Sequence, residues 1–168
     1  MPDNANQTTV FINNDMELKP GFFTSIDNEA WEEAAILLQC GVGFFFWLYL
    51  CGNQDGKRKD IYSSDVIAKT GIDRTSFYNA RSDLIDYGFL IKSPNDSYSY
   101  EFFTKTPISK SWLNCIPKSR KKRGQEPELK KEYNKLMKKG IKVEDFTLEE
   151  LWLYNRGKKY SWKVDWEF

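Results

Sequence analysis

Residues 63–90 read SSDVIAKTGIDRTSFYNARSDLIDYGFL, and the fold turns on how this run is divided. Its apolar positions predict a helix from Ser63 or Ser64 to Thr70, a break at Gly71 and a second helix from about Arg74 to Tyr87. Val66, Ile67, Ile72, Phe77, Ala80, Leu84 and Ile85 then fall on the inner faces of a two-helix unit that needs a third helix to pack against. Gly71 sits at the turn, where a left-handed backbone is least strained. The second helix opens Asp73-Arg74-Thr75-Ser76, and its outward side carries Arg74, Thr75, Ser76, Asn79 and Ser82. Those residue types read nucleic-acid grooves: Arg pairs with guanine, Asn with adenine, and hydroxyls with phosphates or bases.

The third helix is sought upstream, in AAILLQCGVGFFFWLYLC from Ala34 to Cys51. Its eighteen uncharged residues have the length of a membrane span. Gly41 and Gly43 argue against one long helix, because glycine costs a helix interior about 1 kcal/mol relative to alanine. The run therefore reads as the end of a helix spanning about Glu29 to Gln39, capped by Asp27 or Asn28, then a turn, then a buried helix over Phe44 to Cys51. Residues 1–20 read as a flexible arm with one short strand at Thr9–Asn13, and a short strand is expected at Ile61–Tyr62. Gly52 to Arg58 has the look of a phosphate loop but is one residue short, follows a helix and carries Arg58 where a hydroxyl belongs.

Downstream, Phe89–Lys92 and Tyr98–Phe103 read as strands joined by the turn-forming Ser93-Pro94-Asn95-Asp96-Ser97. A basic run, KSRKKR from Lys118 to Arg123, leads to an amphipathic helix with Pro127 in its first turn, Gly140 at its end, and Leu129, Tyr133, Leu136 and Met137 on one face. Thr147-Leu148-Glu149-Glu150 is a capping-box pattern for a last helix that should stop near Gly157. The final alternation predicts a strand with Tyr160, Trp162, Val164, Trp166 and Phe168 on one face.

Residues 41–104 resemble the winged helix-turn-helix superfamily, and GIDRTSFYNARSDLIDYGFL is most similar to the DNA-binding modules of phage, plasmid and bacterial replication and regulatory proteins. Gly71, Thr75, Ser76, Phe77, Tyr78, Ala80, Arg81, Leu84, Ile85, Gly88, Phe89 and Leu90 fill the places of that pattern. Ile67 stands where many members keep alanine, and Asn79 and Ser82 where basic residues are common. Asp65, Asp73, Asp83 and Asp86 surround the unit with negative charge, which works against phosphate contacts. The resemblance implies an α+β fold, a winged helix-turn-helix with a small C-terminal helical and strand extension. The expected organisation is an arm at 1–20, the winged-helix domain at 21–117, a basic linker at 118–126 and the extension at 127–168.

Composition fits that reading. The 168 residues are 40% apolar, 16% aromatic and 29% charged, and the mean hydropathy of −0.63 is too polar for a multi-span membrane protein. Residues 1–117 hold 10 Lys and Arg against 15 Asp and Glu, a balance of −5, whereas 118–168 hold 15 against 9, a balance of +6. With no histidine and three widely spaced cysteines, a zinc site or a histidine-based catalytic triad is not expected, and no cofactor is implied. Reduced thiols and the absence of a visible secretory signal fit the cytoplasm.

The sequence thus leads to a non-enzymatic protein of mobile-element origin that binds double-stranded DNA in replication initiation or transcriptional regulation. Arg74, Thr75, Ser76, Tyr78, Asn79, Arg81 and Ser82 are its groove-facing candidates, with Lys92, Asn95 and Ser97 on the wing. Lys118, Arg120, Lys121, Lys122 and Arg123 form a candidate backbone clamp, with a solvated linker as the alternative. The rival function is a protein-interaction module, such as a phage protein that docks on a host complex, anchored by Trp152, Trp162, Trp166 and Phe168. Homodimerisation is left open.

Overall fold

The computed structural model describes residues 26–52, 63–95 and 99–166. The expected arm and its strand, the strand at Ile61–Tyr62, the loop after Gly52, Asp96 and Ser97 of the turn, Tyr98 of the second strand, and Phe168 all lie outside the described residues. The described chain is α+β and mostly helical, with seven α-helices and one two-stranded antiparallel sheet.

Helix α1 (Asn28–Leu37) buries Ala30 and Ala34 and is anchored to the segment after the sheet, where Glu33 accepts the Thr106 N–H at 2.9 Å and Glu29 pairs with Lys105 at 2.8 Å. The apolar run does divide, as its glycines predict, but they act differently from expectation. Gln39 and Cys40 take the left-handed backbone (φ 56° and 51°), and Gly41 becomes the N-cap of helix α2 (Val42–Cys51). Gly43 lies inside α2, buried, and a Cβ there would stand 3.1 Å from the Asp83 Cβ. Glycine is needed there for close approach of two helices, not for a break. Trp47 is fully buried and donates its indole N–H to the Thr104 carbonyl at 3.1 Å. Among the described residues no helix is long and apolar enough to cross a membrane.

Helices α3 (Ser63–Thr70) and α4 (Arg74–Asp86) flank Gly71, whose φ of +74° suits glycine best. Asp73 caps α4 by accepting the Ser76 N–H at 2.7 Å. Val66, Phe77, Ala80 and Leu84 are buried and Ile67, Ile72 and Ile85 half-buried, and Phe77 meets Phe46 of α2 edge to face at 5.3 Å. Gly88 (φ +80°) then turns the chain into β1 (Leu90–Lys92), which pairs with β2 (Tyr100–Phe102) in the register Leu90↔Phe102, Ile91↔Glu101, Lys92↔Tyr100.

A one-turn helix, α5 (Lys110–Leu113), has no counterpart in the sequence reading. It brings Trp112 into a stack on Trp152 at 6.0 Å, and it is tied to the last helix by the Ser109 N–H to Glu149 bond of 2.7 Å. The segment expected as a basic linker is packed: it holds a 3-10 turn at Arg120–Lys122, and both Arg123 and Glu126 are buried. Helix α6 (Pro127–Lys138) starts on Pro127 and buries Leu129, Tyr133 and Leu136 against α7 (Leu148–Lys159), which opens with the expected Thr147–Glu150 capping box.

Helix α7 ends at Lys159, near the expected stop at Gly157, where the ring of Tyr133 crosses the helix. One expectation for the chain end is corrected. Residues 160–166 form no strand: alternation marks a two-faced segment, but a strand also needs a hydrogen-bonding edge. The near edge is taken, as α7 lies along β1 and the Asn155 side-chain amide donates to the Lys92 carbonyl at 3.2 Å. The chain turns at Ser161 (φ 55°), and Trp162 packs on Tyr133 and donates its N–H to the Gly124 carbonyl at 2.8 Å.

A Cβ at Gly157 would overlap the Tyr133 ring. Gly157→Ala should therefore lower stability by about 1–3 kcal/mol, the usual size of an overpacking penalty, read as a lower urea midpoint.

Candidate nucleic-acid interface

Helix α4 carries both the groove-facing candidates and two acids, Asp83 and Asp86, which are 4% and 1% exposed. Two carboxylates on one buried face cannot stay charged without partners, since an uncompensated buried charge costs several kcal/mol. The partners come from far along the chain. Asp83 accepts Arg120 through two bonds of 2.9 and 2.5 Å and Arg123 at 2.6 Å. Asp86 accepts Arg123 at 3.1 Å, Arg156 at 3.0 Å, Lys159 at 2.9 Å and the Tyr160 hydroxyl at 3.0 Å. Arg156 also donates to Glu126 Oε1, while Glu126 Oε2 is buried with no hydrogen-bond partner among the described residues.

The arginines are held from both sides. Arg123 stacks over Tyr87 at 5.2 Å and donates to the Pro117 and Lys118 carbonyls, and Arg156 lies between the Trp152 ring at 5.6 Å and the Tyr160 ring at 4.9 Å. Burial, reinforced by the Asp86 charge, pushes the Tyr160 phenol well above the usual tyrosine range, and burial likewise raises Tyr87.

This network corrects the reading of the basic run. Arg123 is buried on Asp83 and Asp86 and so is not available as a phosphate clamp, and Arg120, though 46% exposed, is held on Asp83 by two hydrogen bonds. Lys118, Lys121 and Lys122 are exposed, but the run they belong to docks on the Asp83 side of α4. At 3.6 residues per turn, Asp83 lies about 140° around the helix from Tyr78. The interface reading of the tryptophans is corrected too: Trp152 is 3% exposed and donates its N–H to the Ile85 carbonyl, and Trp162 is half-buried on Tyr133, leaving Trp166 as the exposed member of that set among the described residues. Likewise, two of the four acids thought to repel phosphate, Asp83 and Asp86, are neutralised within the fold.

The outward face divides along its length. Arg74, Thr75 and Tyr78 are exposed and Ser76 and Asn79 half-exposed, with the Arg74 guanidinium 5.8 Å from the Tyr78 ring centre. From Arg81 onward the helix is engaged. Arg81 donates to the Tyr100 hydroxyl at 3.1 Å and stacks over that ring, and Ser82 accepts the Lys159 ammonium at 2.7 Å. On the hairpin, Lys92 is half-exposed and Asn95 exposed. The structure thus gathers Arg74, Thr75, Ser76, Tyr78 and Asn79 at one open end of α4 and turns Arg81 and Ser82 to internal contacts.

Sequence reasoning missed Arg156, Lys159 and Tyr160 as partners of α4, and Glu126 as the second acid on Arg156. One signal was present: Asp83 and Asp86 bracket the apolar pair Leu84-Ile85, and Arg156 lies one turn after Trp152 in an apolar stretch, so each charge sits beside a face destined for burial. Comparison with known protein families, curated proteins and solved structures gives no match. The functional reading therefore rests on the residues and their geometry.

Asp86→Ala removes the acceptor shared by Arg123, Arg156, Lys159 and Tyr160, leaving Arg123 with Asp83 and Arg156 with Glu126 as acids, and should lower stability by about 3 kcal/mol, measured as a fall in urea midpoint. Because the Tyr160 pKa is raised by folding, its contribution is complete below the ordinary tyrosine value of about 10 and is lost as pH climbs above it. The urea midpoint should fall as pH rises above about 10, and less steeply in Tyr160→Phe.

Proposed function

We propose that this chain is a winged helix-turn-helix protein that binds double-stranded DNA, with α4 as the recognition helix and β1–β2 as the wing. The order α3, Gly71 turn, α4, hairpin supports the fold reading, with α2 as the helix against which both pack. The observation that carries the functional reading is the open amino-terminal half of α4. Arg74, Thr75 and Tyr78 face solvent on the first turns, the part of a recognition helix that meets base edges, while the acids of the same helix are neutralised at its far end. Arg74 is the guanine-type reader, Asn79 the adenine-type reader, and Thr75 and Ser76 supply hydroxyls for phosphates or bases.

The mobile-element origin and a cytoplasmic role in replication initiation or transcriptional regulation rest on the likeness of residues 71–90 to phage and plasmid modules. The reading as a protein-docking module has less support, because Trp152 and Trp162 are engaged inside the fold.

Anisotropy titrations with random duplex DNA should give binding that weakens steeply with salt. Absence of binding at low salt by the folded protein would overturn the proposal. On a site selected from random duplexes, Arg74→Ala and Asn79→Ala should each reduce discrimination by about 1–3 kcal/mol while leaving the urea midpoint unchanged.

A further inference from the structure

We propose that the DNA-backbone cations of this protein lie in the cleft between the hairpin and α7, where Lys92, Lys158 and Lys159 hold one strand of the duplex. This inference rests on the duplex-binding reading and names a surface for phosphate that the basic run at 118–123 would otherwise supply. The cleft has a volume of about 830 Å³, with Lys92 and Asn95 on the hairpin side, Lys158 and Lys159 on the α7 side and Asp86 at its floor.

Placement is the first argument. Ser82 follows Tyr78 by four residues and so lies about 40° around α4 from it, at the edge of the open face where α7 docks. The Lys159 ammonium sits on Ser82 Oγ at 2.7 Å, so α7 delivers a cation directly to the stripe that begins at Arg74. Arg74 to Ser82 spans about 12 Å of helix, or about three phosphate steps of one strand along a duplex axis. The lysines at 121 and 122 belong to the segment docked on the Asp83 side and do not share this stripe.

Charge is the second argument. Among the described residues that line the cleft the one acid is Asp86, 1% exposed and met by Arg123, Arg156, Lys159 and Tyr160, so no open carboxylate among them competes with the lysines. Lys159 uses two of its three N–H donors, on Ser82 and Asp86, and its side chain is still 31% exposed. Lys158 is exposed, its ammonium 5.3 Å from the Tyr154 ring centre, and among the described residues neither Lys92 nor Lys158 forms an ion pair. Lysines without ionic partners at a cleft rim fit a flexible polyanion track better than a bidentate site.

Salt dependence of binding to random duplex DNA tests this in the full chain. Lys159 is left intact because it also belongs to the Asp86 network. Lys92→Ala combined with Lys158→Ala should make the slope of log affinity against log salt shallower by about 1.8, or about 0.9 for each phosphate no longer neutralised. Lys121→Ala combined with Lys122→Ala should leave the slope at the wild-type value. Circular dichroism melts establish that both pairs of variants fold. Wild-type slope in the Lys92 and Lys158 pair, or a shallower slope in the Lys121 and Lys122 pair alone, overturns the cleft assignment while duplex binding stands. A wild-type protein that binds no duplex at low salt overturns both.

Discussion

The burial of Asp83 and Asp86 on α4 is the constraint on which the rest of the structure depends. Both carboxylates are almost completely removed from water, and each must be met by cations at hydrogen-bonding distance. The chain supplies these from two later places, Arg120 and Arg123 in and beside the 3-10 turn and Arg156 and Lys159 in α7. Residues 118–166 therefore close against the body instead of trailing from it. The acidic body and basic end of the sequence, −5 and +6, are in part the two halves of this internal neutralisation. A charge asymmetry that suggests an external polyanion is partly satisfied within the fold.

The same constraint sorts α4 into functional sides. The inward side is built from apolar residues at its start and ion pairs at its end, while Arg74, Thr75 and Tyr78 keep their side chains in solvent. Docking of α7 removes Arg81 and Ser82 from the readable surface and places Lys159 next to it. Rigidity follows as well. The end of α4 is clamped by four cations, a tyrosine hydroxyl and the Trp152 to Ile85 bond, which fixes the helix orientation that any groove contact would require.

Much of the secondary structure was legible because its determinants are local. The Gly71 turn, the Thr147–Glu150 capping box, Pro127 at a helix start and the split of the apolar run each depend on a few neighbouring residues. Even there the mechanism was hidden. Gly43 looks like a helix breaker in one dimension, yet it serves close approach to Asp83, a residue forty positions away. The terminal alternation from Lys159 onward failed as a strand signal for a related reason, since whether a partner edge exists is not written in the segment itself.

By itself, then, the sequence determined six of the seven described helices, the capping box of α7, the two strands of the hairpin and the apolar face of the helix-turn-helix unit, because backbone propensity and amphipathic period act over a few residues. Which charges would be free was decided only in three dimensions. Arg120, Arg123 and Arg156 are chemically alike in sequence to Arg74, Lys92 and Lys158, and their roles separate only because folding brings the first group onto Asp83 and Asp86. A buried carboxylate selects its partners by distance and desolvation, and neither exists until the tertiary structure does.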